Sequence, residues 1–387
     1  MAVKKWTVVD SMHEAVKDFT ITAGDFGREI AGFEIKRRKL HGGLTDGVET
    51  LYVNNGTFAF TLVPTRGMGI WKAWLGHHEL GWKSPVHGPV HPQYVSLGEP
   101  SGLGWLDGFD ELLVRCGLES NGAPDFDEKT GRLTHPLHGR IANKPAKACE
   151  LSLDSDTGEI KVTGIVEETR FHFTKLRLRT TITTKIGQKG LTIRDEVENF
   201  SASPATAQML YHVNFGLPLL DGGSRVIAPV KQLVPRNAHA ATGIKSWDNY
   251  SAEQPGAEEQ VYLLELAGDD KNDTQVLLKN AHGTLGVSMN FNTKQLPCFS
   301  LWKNTTAGAD GYVTGLEPGT NYPNPRSFET KHDRVIKLAP GGKAVMEITL
   351  EAHDDAASIG RVEQAIAALQ AKIKPVLHDQ PLPTWCA

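Results

Sequence analysis

The stretch Lys175-Leu-Arg-Leu-Arg-Thr-Thr-Ile-Thr183 carries the pattern that decides the fold class. Leucine, leucine, threonine and isoleucine occupy its even-numbered positions, while lysine and two arginines occupy the first three odd-numbered ones. A period of two is typical of a β-strand with one buried and one solvent-facing side. A turn at Gly187-Gln-Lys-Gly190 then leads into Leu191, Ile193 and Val197, which share a face. The sequence predicts two strands joined by this turn.

The same alternation recurs along most of the chain. The segment Thr57–Val63 places Phe58, Phe60 and Leu62 on one face, and Asn54-Asn55-Gly56 before it can form a tight turn. The other alternating sets are Val276 and Leu278; Leu285, Val287, Met289 and Phe291; and Ala344, Met346, Ile348 and Leu350. These sets predict a mostly β protein.

A helical period appears only near the end of the chain. Apolar residues recur there at the spacing of one helix face, at Ile359, Val362, Ile366, Leu369 and Ile373. Three prolines follow, at positions 375, 381 and 383, and proline interrupts regular structure. We therefore expect a C-terminal helix followed by an extended or mobile tail.

The length of 387 residues by itself favours two or three domains. No low-complexity linker divides the chain, however, and the candidate site residues come from both of its ends. We therefore predict one large β domain at residues 1–355, followed by a helix and tail at 356–387. The Gly- and Pro-rich stretch Gly76–Gly104 contains Trp82 and Tyr94, and we interpret it as an ordered loop over a site.

Composition excludes several classes of function. The 41 Lys and Arg residues against 45 Asp and Glu give a net charge of -4, so a basic nucleic-acid surface is not expected. No apolar run is long enough to cross a membrane. The four cysteines are scattered, and Met1–Asp10 lacks the apolar core of a signal peptide, so we expect a reducing, cytoplasmic setting. Phosphate-binding glycine loops and a serine nucleophile elbow are absent from the sequence.

Three polar stretches interrupt the apolar segments that we expect to form strands. Each places a titratable group beside residues that hydrogen-bond to, or stack on, a polyol. The stretches are His135-Pro-Leu-His138-Gly-Arg140-Ile-Ala-Asn143, Met209-Leu-Tyr211-His212-Val-Asn214-Phe-Gly216, and Leu301-Trp302-Lys-Asn304 followed by Gly315-Leu-Glu317-Pro-Gly-Thr-Asn321-Tyr-Pro323. They predict a binding site for a small, neutral or weakly charged sugar.

His212 and Glu317 are the candidate catalytic groups. An imidazole both donates and accepts protons near neutral pH, although a lone histidine between apolar residues is also typical of a satisfied core position. Glu317 ends an apolar strand before a Pro-Gly turn, and buried Glu is rare without a partner. Its alternative interpretation is a carboxylate that caps the turn.

The candidate substrate-binding residues are a second histidine, an aromatic ring and four polar side chains. Trp302 offers a ring face for a sugar, and Arg66 precedes a flexible Gly-Met-Gly turn from which its guanidinium can reach hydroxyl groups. The full set is His138, Arg66, Trp302, Asn304, Asn214 and Arg140. For Trp302 a plain core position, and for Arg66 a solvated surface position, remain the alternatives.

A metal site is a weaker alternative. His87-Gly-Pro-Val-His91 with Glu99 downstream offers two imidazoles and a carboxylate, a ligand set that zinc accepts. Their spacing on Gly- and Pro-rich loops is not diagnostic, so the sequence favours no metal and no organic cofactor.

From residue 30 to 352 the chain resembles the aldose 1-epimerase (galactose mutarotase) superfamily, and it is most similar to bacterial members without an assigned substrate. The similarity rests on the order of Arg66, His138 in Leu-His-Gly, His212 in Tyr-His-Val-Asn-Phe, and Glu317 in Leu-Glu-Pro-Gly. It implies a single antiparallel β-supersandwich with a cleft on the concave sheet. It also implies Glu317 as general base, His212 as general acid, and His138 and Arg66 as substrate binders.

The residues can perform the implied chemistry. Interconversion of sugar anomers needs a base at the C1 hydroxyl and an acid at the ring oxygen, which a carboxylate and an imidazole supply without a cofactor. Two alternatives remain at this point: a carbohydrate-binding protein without turnover, and a metal-dependent sugar isomerase using His87, His91 and Glu99. The expected partner is a small sugar, not nucleic acid or a membrane; a homodimer is left open.

Overall fold

A computed structural model of the chain describes residues 3–13, 15–27 and 29–387. Met1 and Ala2, which open both the predicted domain and the N-terminal stretch considered above, lie outside the described residues. The strands are β1 Val3–Asp10, β2 Phe19–Thr22, β3 Glu34–Lys39, β4 Glu49–Asn54, β5 Phe58–Val63, β6 Gly69–Leu75, β7 His78–Leu80, β8 Leu113–Leu118, β9 Asp125–Phe126, β10 Leu133–His135, β11 Ala148–Asp154, β12 Glu159–Thr169, β13 Lys175–Lys185, β14 Gly190–Asn199, β15 Ala205–Phe215, β16 Arg225–Ile227, β17 Val230–Pro235, β18 Gln260–Leu266, β19 Asp273–Lys279, β20 Gly286–Asn292, β21 Cys298–Asn304, β22 Val313–Gly319, β23 Ile336–Leu338, β24 Lys343–His353 and β25 Val376–Leu377. The α-helices are α1 Ala23–Phe26, α2 Ala238–Thr242, α3 Arg326–Lys331 and α4 Ala356–Gln370, and the 3-10 helices are Gly43–Thr45, Pro92–Tyr94, Gly104–Gly108, Ile141–Asn143, Ile244–Ser246 and Gly308–Asp310.

The alternating stretch that opened the sequence analysis forms the middle of one antiparallel sheet. Its strand order is β1-β11-β12-β13-β14-β24-β20-β19-β16. In β13 the even-numbered side chains are buried and the odd-numbered ones are partly or fully exposed, which confirms the predicted alternation. The turn at residues 187–190 joins β13 to β14, with Leu191, Ile193 and Val197 buried. One face of this sheet therefore meets the core and the other meets solvent.

The second sheet carries the site. Its order is β2-β3-β4-β5-β6-β8-β15-β22-β21-β18-β17-β25, with β7 paired to β6 and β23 paired to β15. Every residue of β5, β8 and β22 is buried. Phe58, Phe60 and Leu62 lie in the core as predicted, yet Ala59, which alternates with them, is buried too. The central strands differ from a half-exposed strand because loops cover their second face.

The two sheets pack against each other around one hydrophobic core that takes side chains from both. Phe291 of β20 and Phe299 of β21 stack across the interface, with ring centroids 6.1 Å apart and planes inclined by 3°. The core also encloses an ion pair in which Arg115 Nε of β8 donates to Asp195 Oδ2 of β14 at 2.5 Å. The arrangement is a two-layered antiparallel β-supersandwich, as predicted.

The C-terminal helix α4 forms where the helical period predicts it. The Asp355 carboxylate caps it by accepting from Ser358 N at 2.7 Å, and Ile359, Val362 and Ile366 pack on Leu277 of β19. The helix ends at Gln370, so the predicted face extends slightly beyond it.

The tail after α4 is extended and is held by the domain, so the alternative of a mobile tail was wrong for these residues. The pair Val376–Leu377 adds to β17 in parallel. Trp385 stacks on Tyr322 with ring centroids 4.7 Å apart, and its carbonyl oxygen accepts from Asn324 Nδ2 at 2.8 Å. The tail thereby ties β17 to the loop that follows β22.

Among the described residues, no helix combines the length and apolarity needed to cross a membrane. The four cysteines are all free thiols, and three of them, Cys116, Cys149 and Cys298, are buried.

Candidate active site

Strand pairing brings the two predicted catalytic residues together. Strands β15 and β22 run antiparallel, with Val213 opposite Leu316. Because His212 precedes Val213 and Glu317 follows Leu316, these two residues also lie opposite each other. His212 Nε2 lies 3.2 Å from Glu317 Oε1. Gly315 leaves room for this contact, because a Cβ atom there would lie 2.4 Å from Glu317 Oε1.

The tautomer of His212 is set by Asn214, two residues along the same strand. Asn214 Nδ2 donates to the carbonyl oxygens of Glu111 and His212, at 3.0 and 3.3 Å. Its Oδ1 therefore faces His212 Nδ1, 2.6 Å away, and accepts the proton of that nitrogen. The other ring nitrogen, Nε2, is left as a proton acceptor facing Glu317.

Burial shifts the two groups toward their neutral forms. Burial raises the pKa of Glu317 from 4.5 to about 8, with the Glu259 carboxylate adding to the rise and the Arg236 guanidinium opposing it. Burial also lowers the pKa of His212 well below 6.5; nearby His138 adds to this, while the bond to Asn214 opposes it. Near neutral pH His212 Nε2 and the Glu317 carboxyl group thus share one proton, which resides on Glu317.

His138 lies beside this pair, as the resemblance implies. Its ring is 5.3 Å from that of His212, nearly perpendicular to it, and its Nδ1 lies 3.0 Å from the carbonyl oxygen of Asn121. Burial lowers the pKa of His138 to about 4, against the effect of the Asn121 bond and with a further contribution from the Arg236 charge. A neutral imidazole with Nδ1 bonded to a carbonyl offers Nε2 to a hydroxyl group as an acceptor.

Aromatic rings enclose the pair. Phe109 and Trp302 lie 5.1 and 5.4 Å from the His212 ring, and Trp105 packs 4.6 Å from His138. Trp302 Nε1 donates to Glu259 Oε2 at 2.6 Å, which fixes the angle of the indole. The predicted stacking residue is therefore at the site, together with two rings from the segment that follows the Gly-rich loop.

These groups surround one cavity of about 310 Å³. The value lies at the lower end of the roughly 300–1,000 Å³ typical of small-molecule sites. The cavity is lined by Leu103, Trp105, Leu106, Phe109, Ala123, Pro124, Leu137, His138, His212, Arg236, Glu259, Val261, Trp302, Glu317 and Pro323. Its size fits a single sugar unit.

Arg66 is not among the lining residues, which corrects its predicted contact with substrate. Its side chain is fully buried and paired with Glu111. The guanidinium also donates to Asn143 Oδ1 at 2.7 Å and to the carbonyl oxygens of Gly108 and Val90, at 2.9 and 3.2 Å. Arg66 thus holds the loops that roof the cavity, and its donors are used by the protein rather than free for a hydroxyl group.

Three other predicted binders also lie away from the cavity wall. Asn214 sits behind His212 and orients it. Asn304 Nδ2 donates to the carbonyl oxygen of Gly311 at 3.1 Å. Arg140 lines a separate cavity of about 300 Å³ with Glu168. Sequence proximity to His212, Trp302 and His138 placed all three in the predicted site, but Asn214 and Asn304 are engaged by protein groups and Arg140 lies in the other cavity.

The predicted loop Gly76–Gly104 contributes mainly support. Trp82 is buried, packs 4.9 Å from Phe109 and donates from Nε1 to the carbonyl oxygen of Glu111 at 3.2 Å. Tyr94 is exposed. Leu103, near the end of this stretch, reaches the cavity.

The weaker metal alternative is not assembled. His91 Nδ1 accepts from Gln93 N at 3.2 Å, and the Glu99 carboxylate accepts from Ser101 and from Leu103 N. No group of three potential ligands, from His87, His91 and Glu99 or elsewhere, is found within the part of the chain that the structure describes.

Sequence reasoning missed two charged residues of the cavity, Arg236 and Glu259. Arg236 follows the end of β17, and Glu259 precedes β18. No motif marks either of them, since their place depends on which strands are neighbours in the sheet. The only local signal is that each lies at the boundary between a strand and a polar loop.

Comparison with known proteins gives the following similarities. Residues 45–352 match the family DUF4432, which is described as a domain of unknown function. A solved protein of Klebsiella pneumoniae, named as a candidate aldose 1-epimerase, is 33% identical with a TM-score of 0.94, over 98% of this chain and 99% of that one.

Two more distant structures show the fold alone. A galactose mutarotase-like protein of Clostridium acetobutylicum is 13% identical, with a TM-score of 0.58 over 83% of this chain and 99% of that one. A galactose 1-epimerase of Lactobacillus acidophilus is 13% identical, with a TM-score of 0.55 over 84% and 100%. No curated protein matches the sequence. These likenesses confirm the predicted resemblance and the predicted fold.

Proposed function

The chain belongs to the DUF4432 family and shares the galactose mutarotase-like fold, and from this premise we propose that it is a sugar isomerase of the aldose 1-epimerase kind. The observation that carries the proposal is the pair formed by His212 Nε2 and Glu317 Oε1, 3.2 Å apart. This pair faces a cavity of about 310 Å³ that contains an indole ring for stacking. Interconversion of anomers requires one acid and one base on the same side of a sugar ring, which the pair supplies.

One proton lies between His212 Nε2 and the Glu317 carboxyl group when the reaction begins. In the free protein that proton lies on Glu317, whose pKa is about 8. Burial and the Glu259 charge raise this pKa, and the Arg236 charge opposes the rise. Sugar hydroxyls that donate to the Glu317 carboxyl group stabilise its charged form. The proton then passes along the hydrogen bond to His212 Nε2. Glu317 becomes the base and His212 the acid, which are the roles that the resemblance implies.

The reaction then needs only proton transfers. Glu317 takes the proton of the C1 hydroxyl while His212 Nε2 gives its proton to the ring oxygen, and the bond between C1 and the ring oxygen breaks to leave an open aldehyde. Rotation about C1–C2 presents the other face of the carbonyl. Reclosure returns one proton to O1 and one to the pair, so that atoms and charges balance without a cofactor. Acid–base assistance of this kind contributes roughly 10²–10⁴-fold.

The remaining lining residues hold the sugar. His138 accepts from a hydroxyl group, and Trp302 covers the apolar side of the ring. The indole is fixed by its bond to Glu259, so it needs little further ordering when a sugar binds.

Anomer exchange measured by NMR on a panel of aldoses, ketoses and uronic acids tests the proposal. We expect faster exchange with the wild-type protein for at least one sugar, and its loss in Glu317→Gln. Glu196→Gln, a surface change on the other sheet that removes only the ion pair with Lys343, is the matched control. Equal exchange rates for wild type and Glu317→Gln would rule the mechanism out. Tight binding without exchange would support the non-catalytic carbohydrate-binding alternative instead.

A further inference from the structure

Arg236 is a partly buried cation in the cavity wall to which the described residues supply no counter-ion in direct contact. Within residues 3–13, 15–27 and 29–387, no side chain forms an ion pair or hydrogen bond with its guanidinium. Three other partly buried arginines are engaged: Arg334 pairs with Glu329, Arg177 pairs with Glu167, and Arg326 donates to Thr206. Arg140 makes no direct ion pair among the described residues either, but it lies beside the Glu168 carboxylate in its separate cavity. Leaving a half-buried guanidinium unpaired forgoes the charge-assisted bonds that arginine usually makes. This pattern is expected where an anionic ligand supplies the partner.

The sheet places Arg236 at a fixed distance from the catalytic pair. Arg236 N donates to the carbonyl oxygen of Val261 at 2.9 Å, Val261 pairs with Trp302, and Trp302 pairs with Gly315, two residues before Glu317. Paired residues share a sheet face, so these side chains lie on the cavity side in strand order. Three strand spacings, roughly 14 Å between backbones, separate Arg236 from Gly315, and Glu317 lies two residues, roughly 7 Å, further along β22. The side chains of Arg236 and Glu317 reach toward each other across the space of one sugar unit.

The order of groups along this row assigns an orientation to the ligand. With the anomeric carbon at Glu317 and His212, as the proposed mechanism requires, a sugar ring would lie beside Trp302 and its opposite end would reach Arg236. Glu259, the other charge in the wall, is engaged by Trp302 Nε1 at 2.6 Å and is exposed to solvent. Its charge is therefore partly compensated, whereas that of Arg236 is not.

We propose that the substrate is an anionic sugar whose carboxylate or phosphate, at the end remote from the anomeric carbon, binds Arg236. This inference rests on the proposed isomerase function and adds the class of substrate to it. The near-neutral charge of the whole chain favoured a neutral or weakly charged sugar, but selectivity depends on the few charges that line the cavity. A guanidinium matches the two oxygens of a carboxylate or phosphate by a bidentate contact.

The test compares sugars that differ only in the anionic group. Anomer exchange is measured for glucose, glucuronate and glucose 6-phosphate, and for galactose and galacturonate, with the wild type, Arg236→Gln and Arg236→Lys. Arg179→Gln, an exposed arginine on β13, is the control. We expect the wild type to prefer an anionic sugar over its neutral partner by about 10- to 100-fold in kcat/KM, the size of a charge-assisted contact. The carboxylate and phosphate arms identify which anion is bound.

In Arg236→Gln this preference should fall to about one, in Arg236→Lys it should be partly kept, and in Arg179→Gln it should be unchanged. A wild-type preference for neutral sugars, or a preference that survives Arg236→Gln, would overturn the inference. Binding of the same sugars, measured by calorimetry, separates the two proposals. Anion-selective binding that depends on Arg236 without any exchange would refute the isomerase while supporting the anion site. Exchange of neutral and anionic sugars at equal rates would refute the anion site while supporting the isomerase.

Discussion

Each face of strand β15 contacts a buried carboxyl group of another strand, and the two carboxyl groups are compensated in different ways. On the inner face, Tyr211 OH donates to Asp195 Oδ2 at 2.9 Å, and Arg115 donates to both oxygens of the same carboxylate, at 2.5 and 3.1 Å. On the outer face, His212 meets Glu317 at 3.2 Å, and no cation pairs with that carboxyl group in the described part of the chain.

The difference separates a structural ion pair from a carboxyl group that can exchange a proton. Asp195 and Arg115 are completely enclosed between the sheets, and their charges and hydrogen bonds satisfy each other. Burial raises the pKa of Glu317, and its carboxyl group faces a cavity beside a neutral imidazole. A buried carboxyl group with a perturbed pKa and an incomplete set of partners is typical of a catalytic position.

The largest expected effect is on the outer face. Glu317→Gln removes the group that exchanges a proton with the sugar while it keeps the shape of the side chain. We expect the exchange rate to fall by about 10²–10⁴-fold with the fold retained. NMR exchange measures the rate, and circular dichroism checks the fold. A fall of less than about threefold would contradict the assignment.

The matching change on the inner face should act on stability instead. Asp195→Asn leaves the Arg115 charge buried without a counter-ion, which costs about 3–5 kcal/mol of unfolding free energy. Urea denaturation measures this loss. The exchange rate per folded molecule should change little, because Asp195 lies on the far side of the sheet from the cavity. A variant as stable as wild type would show that the ion pair is not required.

The two faces also differ in how stability depends on pH. The folded protein holds a proton on Glu317 with a pKa of about 8, raised from 4.5, whereas the unfolded chain releases it near 4.5. This stabilising contribution is complete below pH 4.5 and is lost as the pH rises through about 8. Relative to Glu317→Gln, we expect wild type to lose about 1 kcal/mol per pH unit in this window.

Denaturation of both proteins at several pH values between 5 and 9 provides the measurement. A difference between wild type and Glu317→Gln that stays constant across this range would contradict the raised pKa. The Asp195→Asn variant should keep the pH dependence of wild type over the same range, because that dependence belongs to Glu317 on the outer face.

The C-terminal tail should affect the outer face moderately. Trp385 stacks on Tyr322, next to the cavity residue Pro323, and the Cys386 thiol lies 3.7 Å from the carbonyl oxygen of Pro235, next to Arg236. Trp385→Ala removes an aromatic pair worth about 0.5–1.5 kcal/mol beyond its burial. We expect KM to rise several-fold with kcat nearly unchanged, in steady-state exchange measurements. An unchanged KM would show that the tail does not position the wall.

The smallest expected effect is that of Trp302→Phe. The variant keeps a ring beside the sugar but loses the donor to Glu259, so the ring is less well oriented. We expect KM to rise about two- to fivefold with kcat kept, because the lost bond to the exposed Glu259 carboxylate orients the ring but does not itself contact the sugar. A loss of kcat comparable to that of Glu317→Gln would assign Trp302 to the chemistry itself.

Prediction from the sequence worked best where the signal was local. The alternation in Lys175–Thr183 and the apolar face of α4 gave the class of each element, and the three polar stretches identified His212, Glu317, His138 and Trp302 as cavity residues. It worked less well for Arg66, Asn304 and Arg140. Whether a polar side chain beside a functional residue reaches the ligand or the protein depends on loops packed from elsewhere.

The sequence by itself determined the period-two strands, the C-terminal helix and the order of the candidate motifs, because side-chain periodicity is a local property of the backbone. Only the tertiary structure decided that His212 faces Glu317, that Arg66 holds the roof of the cavity, and that Arg236 completes the row beyond Trp302. These contacts depend on strand register and on the order of strands in the sheet, which join residues far apart in the chain. Burial then sets the proton affinities of His212 and Glu317, and burial is a property of the assembled sheet.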